Sequence, residues 1–327
     1  MMLKLKYLFE NYDLAKEALQ NWEHDKDTLN EMLSQFRISS NAIYPFCQKG
    51  AVCFLRLSPL DEKLEKNVFG EMAFINYLLE CGYPALKPIK AKTGEICLKL
   101  CTEWGQFYAT AFGRVDGVPI EDTDMSSEIM FEYGKTLGKL HSLSTKFDPQ
   151  SKKWTHSEVL DWIASVLSEY NAPDFVVLER LAIQRELDRL PANHDNYGLV
   201  HYDFELDNVF YDQKKGTCSV IDFDDGMYHW FALDIEQVFG SLEDELSGDS
   251  VQSARSEFMR GYKEEHCYTQ EMEESRPLMR RFINLYGYAR LIRCVAEKFA
   301  DEPDWMVALR EKLNKAILEK EASILKS

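Results

Sequence analysis

Two short acidic stretches constrain this chain more than anything else in it. They are His201-Tyr202-Asp203-Phe204-Glu205-Leu206-Asp207-Asn208 and, fourteen residues after Asn208, Asp222 within Ile221-Asp222-Phe223-Asp224-Asp225. The flanking residues, 198–210 and 218–223, are rich in Val, Ile, Tyr and Phe and read as strands joined by the turn Asp212-Gln213-Lys214-Lys215-Gly216. Such a hairpin projects its loop carboxylates to one place. Phosphoryl transfer needs a carboxylate roughly 3 Å from an attacking hydroxyl, and hard oxygen ligands that hold magnesium against nucleotide phosphates. Asp203 and Asn208, five apart in one loop, can supply the base and one ligand. Asp222, at the end of Cys218-Ser219-Val220-Ile221, can supply the second. Turns favour Asp and Asn for conformational reasons, so the weight lies on the ordered set rather than on any single acid.

Upstream, residues 10–35 are charged and read as helical. Residues 36–57 read as strands broken by Ser39-Ser40-Asn41 and Gln48-Lys49-Gly50, the start of an antiparallel sheet. Val68, Met72, Ile75 and Leu79 share one face of a helix closed by Gly82 and Pro84, and Glu71 flanks that face. Strands at 95–101 and 106–112 join through Trp104-Gly105, and the chain leaves the sheet at Gly113-Arg114-Val115-Asp116-Gly117. Beyond it, the stripes Met130, Tyr133, Leu137, Leu140 and Val159, Ile163, Val166, Tyr170 have helical spacing. So has the chain after about residue 252, including a basic helix with Arg280, Arg281, Arg290 and Arg293. The expectation is an α+β chain of two lobes. Residues 1–113 form the lobe with the antiparallel sheet, and residues 114–327 form a mainly helical lobe that carries the acidic block.

With 327 residues, 45% of them apolar, each lobe can bury a core. The formal net charge of −17 excludes a nucleic-acid surface and a polybasic membrane patch, both of which need a basic footprint. Charged residues interrupt every apolar run from Met1-Met2-Leu3-Lys4-Leu5-Lys6 onward. Neither a signal peptide nor a membrane span of ~20 residues is expected, and the chain reads as cytoplasmic. The eight cysteines form no Cys-x-x-Cys pair and read as reduced core thiols.

The two acidic stretches resemble the His-x-Asp-x-x-x-x-Asn loop and the Ile-Asp-Phe-x-Asp segment of the aminoglycoside phosphotransferase and choline kinase superfamily, small-molecule kinases with a two-lobed, protein-kinase-like fold. The resemblance implies Asp203 as catalytic base and Asn208 and Asp222 as metal ligands, with Asp224 and Asp225 alongside. It implies His201 as a brace of the loop and Asp234 as its anchor from a following helix. It extends to Phe54-Leu55-Arg56-Leu57 and Glu71, which match the strand cation and helix glutamate that orient nucleotide phosphates. Arg56 stands where lysine is usual; it keeps the charge and can grip a carboxylate with two bonds. Ser40 and Asn41 fall in the nucleotide-covering loop, which has no Gly-x-Gly-x-x-Gly here. Phe112 and Arg114 flank the lobe connection, where main chain would meet the purine. Gly134 and Gly138 match packing positions of a family helix, and His141 a structural histidine. The implied cofactors are Mg2+ with ATP or GTP.

Residues 201–250 carry thirteen Asp or Glu against two Lys, which suits a cationic small-molecule acceptor such as an aminoglycoside, an aminosugar or a hydroxylated amine. Two other readings stay open at this level. One is a nucleotide-binding pseudokinase or regulatory protein, favoured by Arg56 and the missing glycine loop. The other is a metal-dependent hydrolase built on His201, Asp203, Asp222 and His229.

Overall fold

The computed structural model describes residues 4, 5, 10–298 and 300–326. Of the opening stretch read above, residues 1–3 and 6 lie outside the described residues. The chain starts with α1 (Tyr12–Leu19) and α2 (Leu29–Leu33), two short helices within the stretch 10–35 expected to be helical. The interruption has a cause: the Asp25 carboxylate accepts from the amides of Lys49 and Gly50, at 3.0 and 2.7 Å, and caps the tip of the following hairpin.

That hairpin opens the first sheet, built from β1 (Arg37–Ile38), β2 (Ala42–Gln48) and β3 (Ala51–Pro59), then, after α3 (Glu65–Glu80), β4 (Pro88–Ile89), β5 (Cys97–Thr102) and β6 (Gly105–Gly113). Strand order is β1-β2-β3-β6-β4, with β5 also paired to β6 and every pairing antiparallel. The two-residue period of a strand sorts β3 between two environments. Cys53, Leu55 and Leu57 join Trp22, Leu14, Ala18 and Leu19 in a core on one face of the sheet. Arg56 and Ser58 point to the other face, where α3 packs through Val68, Met72 and Ile75.

The remainder is mainly helical, as expected. It comprises β7 (Val118–Pro119), α4 (Ser127–Ser144), α5 (His156–Glu169), α6 (Asp174–Leu187), β8 (Tyr197–Val200), β9 (Val209–Asp212), β10 (Thr217–Val220), β11 (Met227–Trp230), α7 (Ala232–Glu245), α8 (Asp249–Glu265), α9 (Gln270–Val295) and α10 (Asp304–Ile324). The expected hairpin is narrower than residues 198–223. Only β9 and β10 pair across the 212–216 turn, while β8 pairs with β11 in a separate two-stranded sheet. The reason lies between them: Tyr202 adopts φ 68°, which turns the chain out of β8 before the acidic loop begins.

Helices α4 and α8 cross with their backbones in contact. A Cβ on Gly134 would stand 1.8 Å from the Phe258 carbonyl oxygen, and one on Gly138 2.4 Å from that of Tyr262. These glycines are packing positions. All eight cysteines are free, but Cys81, Cys101 and Cys267 are exposed rather than core thiols, because they sit at a helix end, a strand edge and a loop. No helix among the described residues is long and apolar enough to cross a membrane.

Candidate active site

The loop between β8 and β9 is fixed from beneath by one carboxylate. Asp234, fully buried at the start of α7, accepts from the backbone amides of His201 (2.8 Å) and Tyr202 (2.7 Å) and from His141 Nε2 (3.0 Å). Burial lowers the pKa of His141, so the ring is neutral, donating from Nε2 to Asp234 and accepting at Nδ1 from the Tyr262 hydroxyl at 2.8 Å. Gln237 Nε2 donates to the Tyr202 carbonyl, and the Tyr133 hydroxyl to that of Phe204. Both ring nitrogens of His201 are engaged as well: Nδ1 accepts from the Asp203 amide (3.2 Å) and Nε2 donates to the Ile221 carbonyl (2.9 Å). Burial, its largest influence, lowers the His201 pKa to about 4, which keeps it neutral and makes it a brace.

On this base Asp203 is half-buried, and Asn208 Nδ2 donates both to the Asp203 carboxylate Oδ2 and to the Asp203 backbone carbonyl, each at 3.1 Å. Asn208 thus holds Asp203 directly, and its amide oxygen is the atom it can offer a cation. Burial, followed by the charges of Asp225, Asp222 and Glu205, raises the Asp203 pKa well above the usual carboxylate value, with Arg290 offsetting part. Asp222 follows β10 with φ 59°, a left-handed conformation that costs a residue bearing a Cβ about 1 kcal/mol and persists where its surroundings dictate it. Burial and then Asp224 push its pKa up to about 6, against the pull of Arg56.

The sheet contributes Arg56, which lies in a central strand rather than at an edge. Its guanidinium forks onto Glu71 at 2.8 and 2.7 Å, donates from Nε to Thr110 Oγ1 across the β3–β6 pair, and sits 5.0 Å from the ring centre of Phe112. Burial lowers the Arg56 pKa, but the Glu71 charge outweighs it, so the cation is permanent. Asn41 is buried, donating to Asp224 Oδ2 (3.1 Å) and accepting from Ser58 (2.6 Å), so this loop residue reaches the acidic segment with its side chain. Ser40 beside it is half-buried. At the lobe connection Arg114 is exposed, and the amides of Gly113 and Arg114 already donate to the carbonyls of Lys87 and Val52. Those two amides are therefore engaged where the purine contact was expected.

Three cations escaped the sequence reading as site residues. Lys63 pairs with Asp224, Arg290 pairs with Asp225 at 2.8 Å, and Lys153 donates from Nζ to the carbonyls of Phe223 (2.9 Å) and Asp224 (2.7 Å). The Lys153 stem passes α3 at Gly70, where a Cβ would stand 2.7 Å from its Cγ. Arg290 was visible only as part of a basic helix, and Lys63 and Lys153 carry no motif at all. His229 does not join the group: it is buried against Phe282, ring centres 4.5 Å apart, and neither ring nitrogen has a hydrogen-bond partner. Among the described residues no group of three or more His, Cys, Asp and Glu is arranged to hold a metal. A cleft of about 570 Å³ opens elsewhere, between α6, α7, α9 and the end of α10. It is lined by Glu179, Glu236, Arg276, Arg280 and Arg281 among others, and by none of the site residues expected from the sequence.

A family model described as the phosphotransferase enzyme family matches residues 46–278. Amicoumacin kinase of Bacillus subtilis (strain 168) is 25% identical over 278 residues, covering 80% of this chain and 79% of that protein. Among solved structures, an amicoumacin kinase in complex with AMP-PNP, Ca2+ and Ami superimposes with a TM-score of 0.76 at 20% identity, covering 97% of this chain and 95% of the other. A microcompartment-associated aminopropanol kinase gives 0.68 at 18% identity, covering 96% and 95%.

Proposed function

The chain belongs to the phosphotransferase enzyme family and is an ATP-dependent small-molecule kinase, and from that premise we propose that it phosphorylates a hydroxyl of an amine-bearing acceptor, with Asp203 as the base. The observation that carries this reading is the Asp203–Asn208 contact in a loop pinned by Asp234. It presents a carboxylate of fixed orientation, raised in basicity by burial, where a hydroxyl proton can be taken. We place the division between nucleotide lobe and catalytic lobe at residues 113 and 114, where β6 ends.

The residues present fit a magnesium ion bound together with the nucleotide. The Asn208 oxygen and the Asp222 carboxylate would supply two hard oxygens, the donor type that Mg2+ takes alongside nucleotide phosphates. When bound, the ion neutralises charge on the phosphates. The chain's own part is positional: Arg56, set by Glu71 and Thr110, faces the phosphate side, while Asp203 orients the acceptor and takes its proton.

Support for an amine comes from the other flank of Asp203. Glu205 is half-buried, and burial with the charges of Asp207 and Asp244 raises its pKa. A bound ammonium would relieve that crowding. The aminopropanol kinase named above supports the same class. The test is incubation with Mg-ATP or Mg-GTP and a panel of amino alcohols, aminoglycosides, amicoumacin and neutral polyols, with product mass as readout. Phosphorylation of amines but not of polyols is expected. Tight nucleotide binding without transfer to any acceptor would instead favour the pseudokinase.

A further inference from the structure

We propose that Lys63 is a positioning residue for the metal-nucleotide site, acting through Asp224 to hold the Asp222 turn in place. The inference rests on the phosphotransferase reading above and adds a residue outside the motifs that led to it. Lys63 ends the 3-10 turn Leu60–Glu62, which follows directly on β3, the strand of Arg56. Its side chain is only 5% exposed and is paired with Asp224, itself 9% exposed. A lysine that gives up its hydration to this extent, with a carboxylate as partner, has a fixed position that a solvated surface lysine lacks.

What it fixes follows from the other contacts of the same segment. Asp224 Oδ2 also accepts from Asn41, whose oxygen accepts from Ser58, so three parts of the sheet lobe converge on one carboxylate. From the helical lobe Lys153 holds the carbonyls of Phe223 and Asp224. The adjoining pair is tied in the same way: Glu62 meets Arg293 at 2.6 Å, and Asp225 meets Arg290. Residues 223–225 are therefore clamped between the lobes, one to three residues from the left-handed Asp222, whose conformation must be imposed from outside. Lys63 brings a full positive charge directly to the Asp224 carboxylate, and it comes from the lobe that would carry the nucleotide. Groups that orient a metal ligand without touching the metal influence affinity nearly as much as the ligands do.

The experiment measures ADP affinity of the full chain by calorimetry with and without Mg2+, the ratio being the gain due to metal. Lys63→Met should reduce that gain about 10- to 100-fold and leave metal-free ADP affinity within about twofold, with Lys63→Arg recovering part of it. Because Lys63→Met strands a buried carboxylate and can unfold the chain, the neutral pair Lys63→Met/Asp224→Asn is measured beside it. That variant should stay folded by thermal melting and still lack the gain. An unchanged gain in Lys63→Met, or a gain restored in the neutral pair, overturns the positioning role. Equal weakening of ADP with and without metal overturns it too. Wild-type protein showing no metal gain would sink the phosphotransferase reading and this inference together, whereas a wild-type gain untouched by Lys63→Met sinks this inference alone.

Discussion

Two flanks of the acidic site treat a pair of carboxylates each in opposite ways, Asp224 with Asp225 on one and Asp203 with Glu205 on the other. On the first flank, burial would raise Asp224 and Asp225, but Lys63 beside the first and Arg290 beside the second outweigh it and hold both below the usual range. On the other flank, burial and neighbouring carboxylates raise Asp203 and Glu205, and Arg290 offsets only part. One flank has had its charge balanced by the chain itself. The other keeps an excess of negative charge in a partly desolvated place, which is what a cationic acceptor would answer.

That contrast can be broken in four ways, the most severe first. Asp203→Ala removes the base and should lower kcat by about 10²- to 10⁴-fold while nucleotide affinity stays within about twofold. An equal loss of both, in steady-state kinetics and calorimetry, would merge the two flanks into one. Asp234→Ala deprives two buried amides and His141 of their acceptor and should destabilise the chain by about 3 kcal/mol or more in urea denaturation. A variant of normal stability would mean that the loop is held by something else.

The third test is pH. Asp222 is held up at about 6, so it is anionic above that pH and neutral below it. The Mg2+-dependent gain in ADP affinity, corrected for protonation of ADP itself, should be full at pH 7.5 and fall about tenfold per unit once the pH drops below about 6. For folding of the metal-free chain the sign reverses. The raised pKa favours the protonated folded state, so that contribution is present below the ordinary 3.8 and is lost as the pH rises through about 6. Asp224 and Asp225, being depressed, should not contribute to this step. The smallest effect is expected for Glu205→Gln, which should raise KM for an amine acceptor about fivefold, leave KM for ATP alone and leave a neutral acceptor indifferent.

What could be read in the sequence was what is local in the chain. Asp203 and Asn208 are five residues apart and touch; Arg56 and Glu71 are separated by one strand end and one helix start, and they meet as expected. The helices announced themselves through their apolar stripes, and Gly134 and Gly138 through the family resemblance. The neighbours of the acidic segment were not legible, because contacts across 70 to 161 positions, such as Lys153 to Phe223 and Lys63 to Asp224, leave no local pattern. A buried lysine in Ser151-Lys152-Lys153 is written with the same letters as a solvated one. The pairing of β8 with β11 was hidden for a related reason, since it depends on the left-handed turn at Tyr202 that only tertiary contacts impose.

The α4–α8 crossing bears on how such a molecule can breathe. With glycine on both helices and carbonyl oxygens in the space where side chains would stand, this contact holds little void to squeeze and no long side chains to repack. Tyr133 and His141, which brace the acidic loop, both project from α4. The loop therefore rides on the least compressible part of the fold. Hydrostatic pressure or a volume-changing substitution should be felt first in the sheet-bearing half, which meets the acidic segment through the side chains of Asn41 and Lys63.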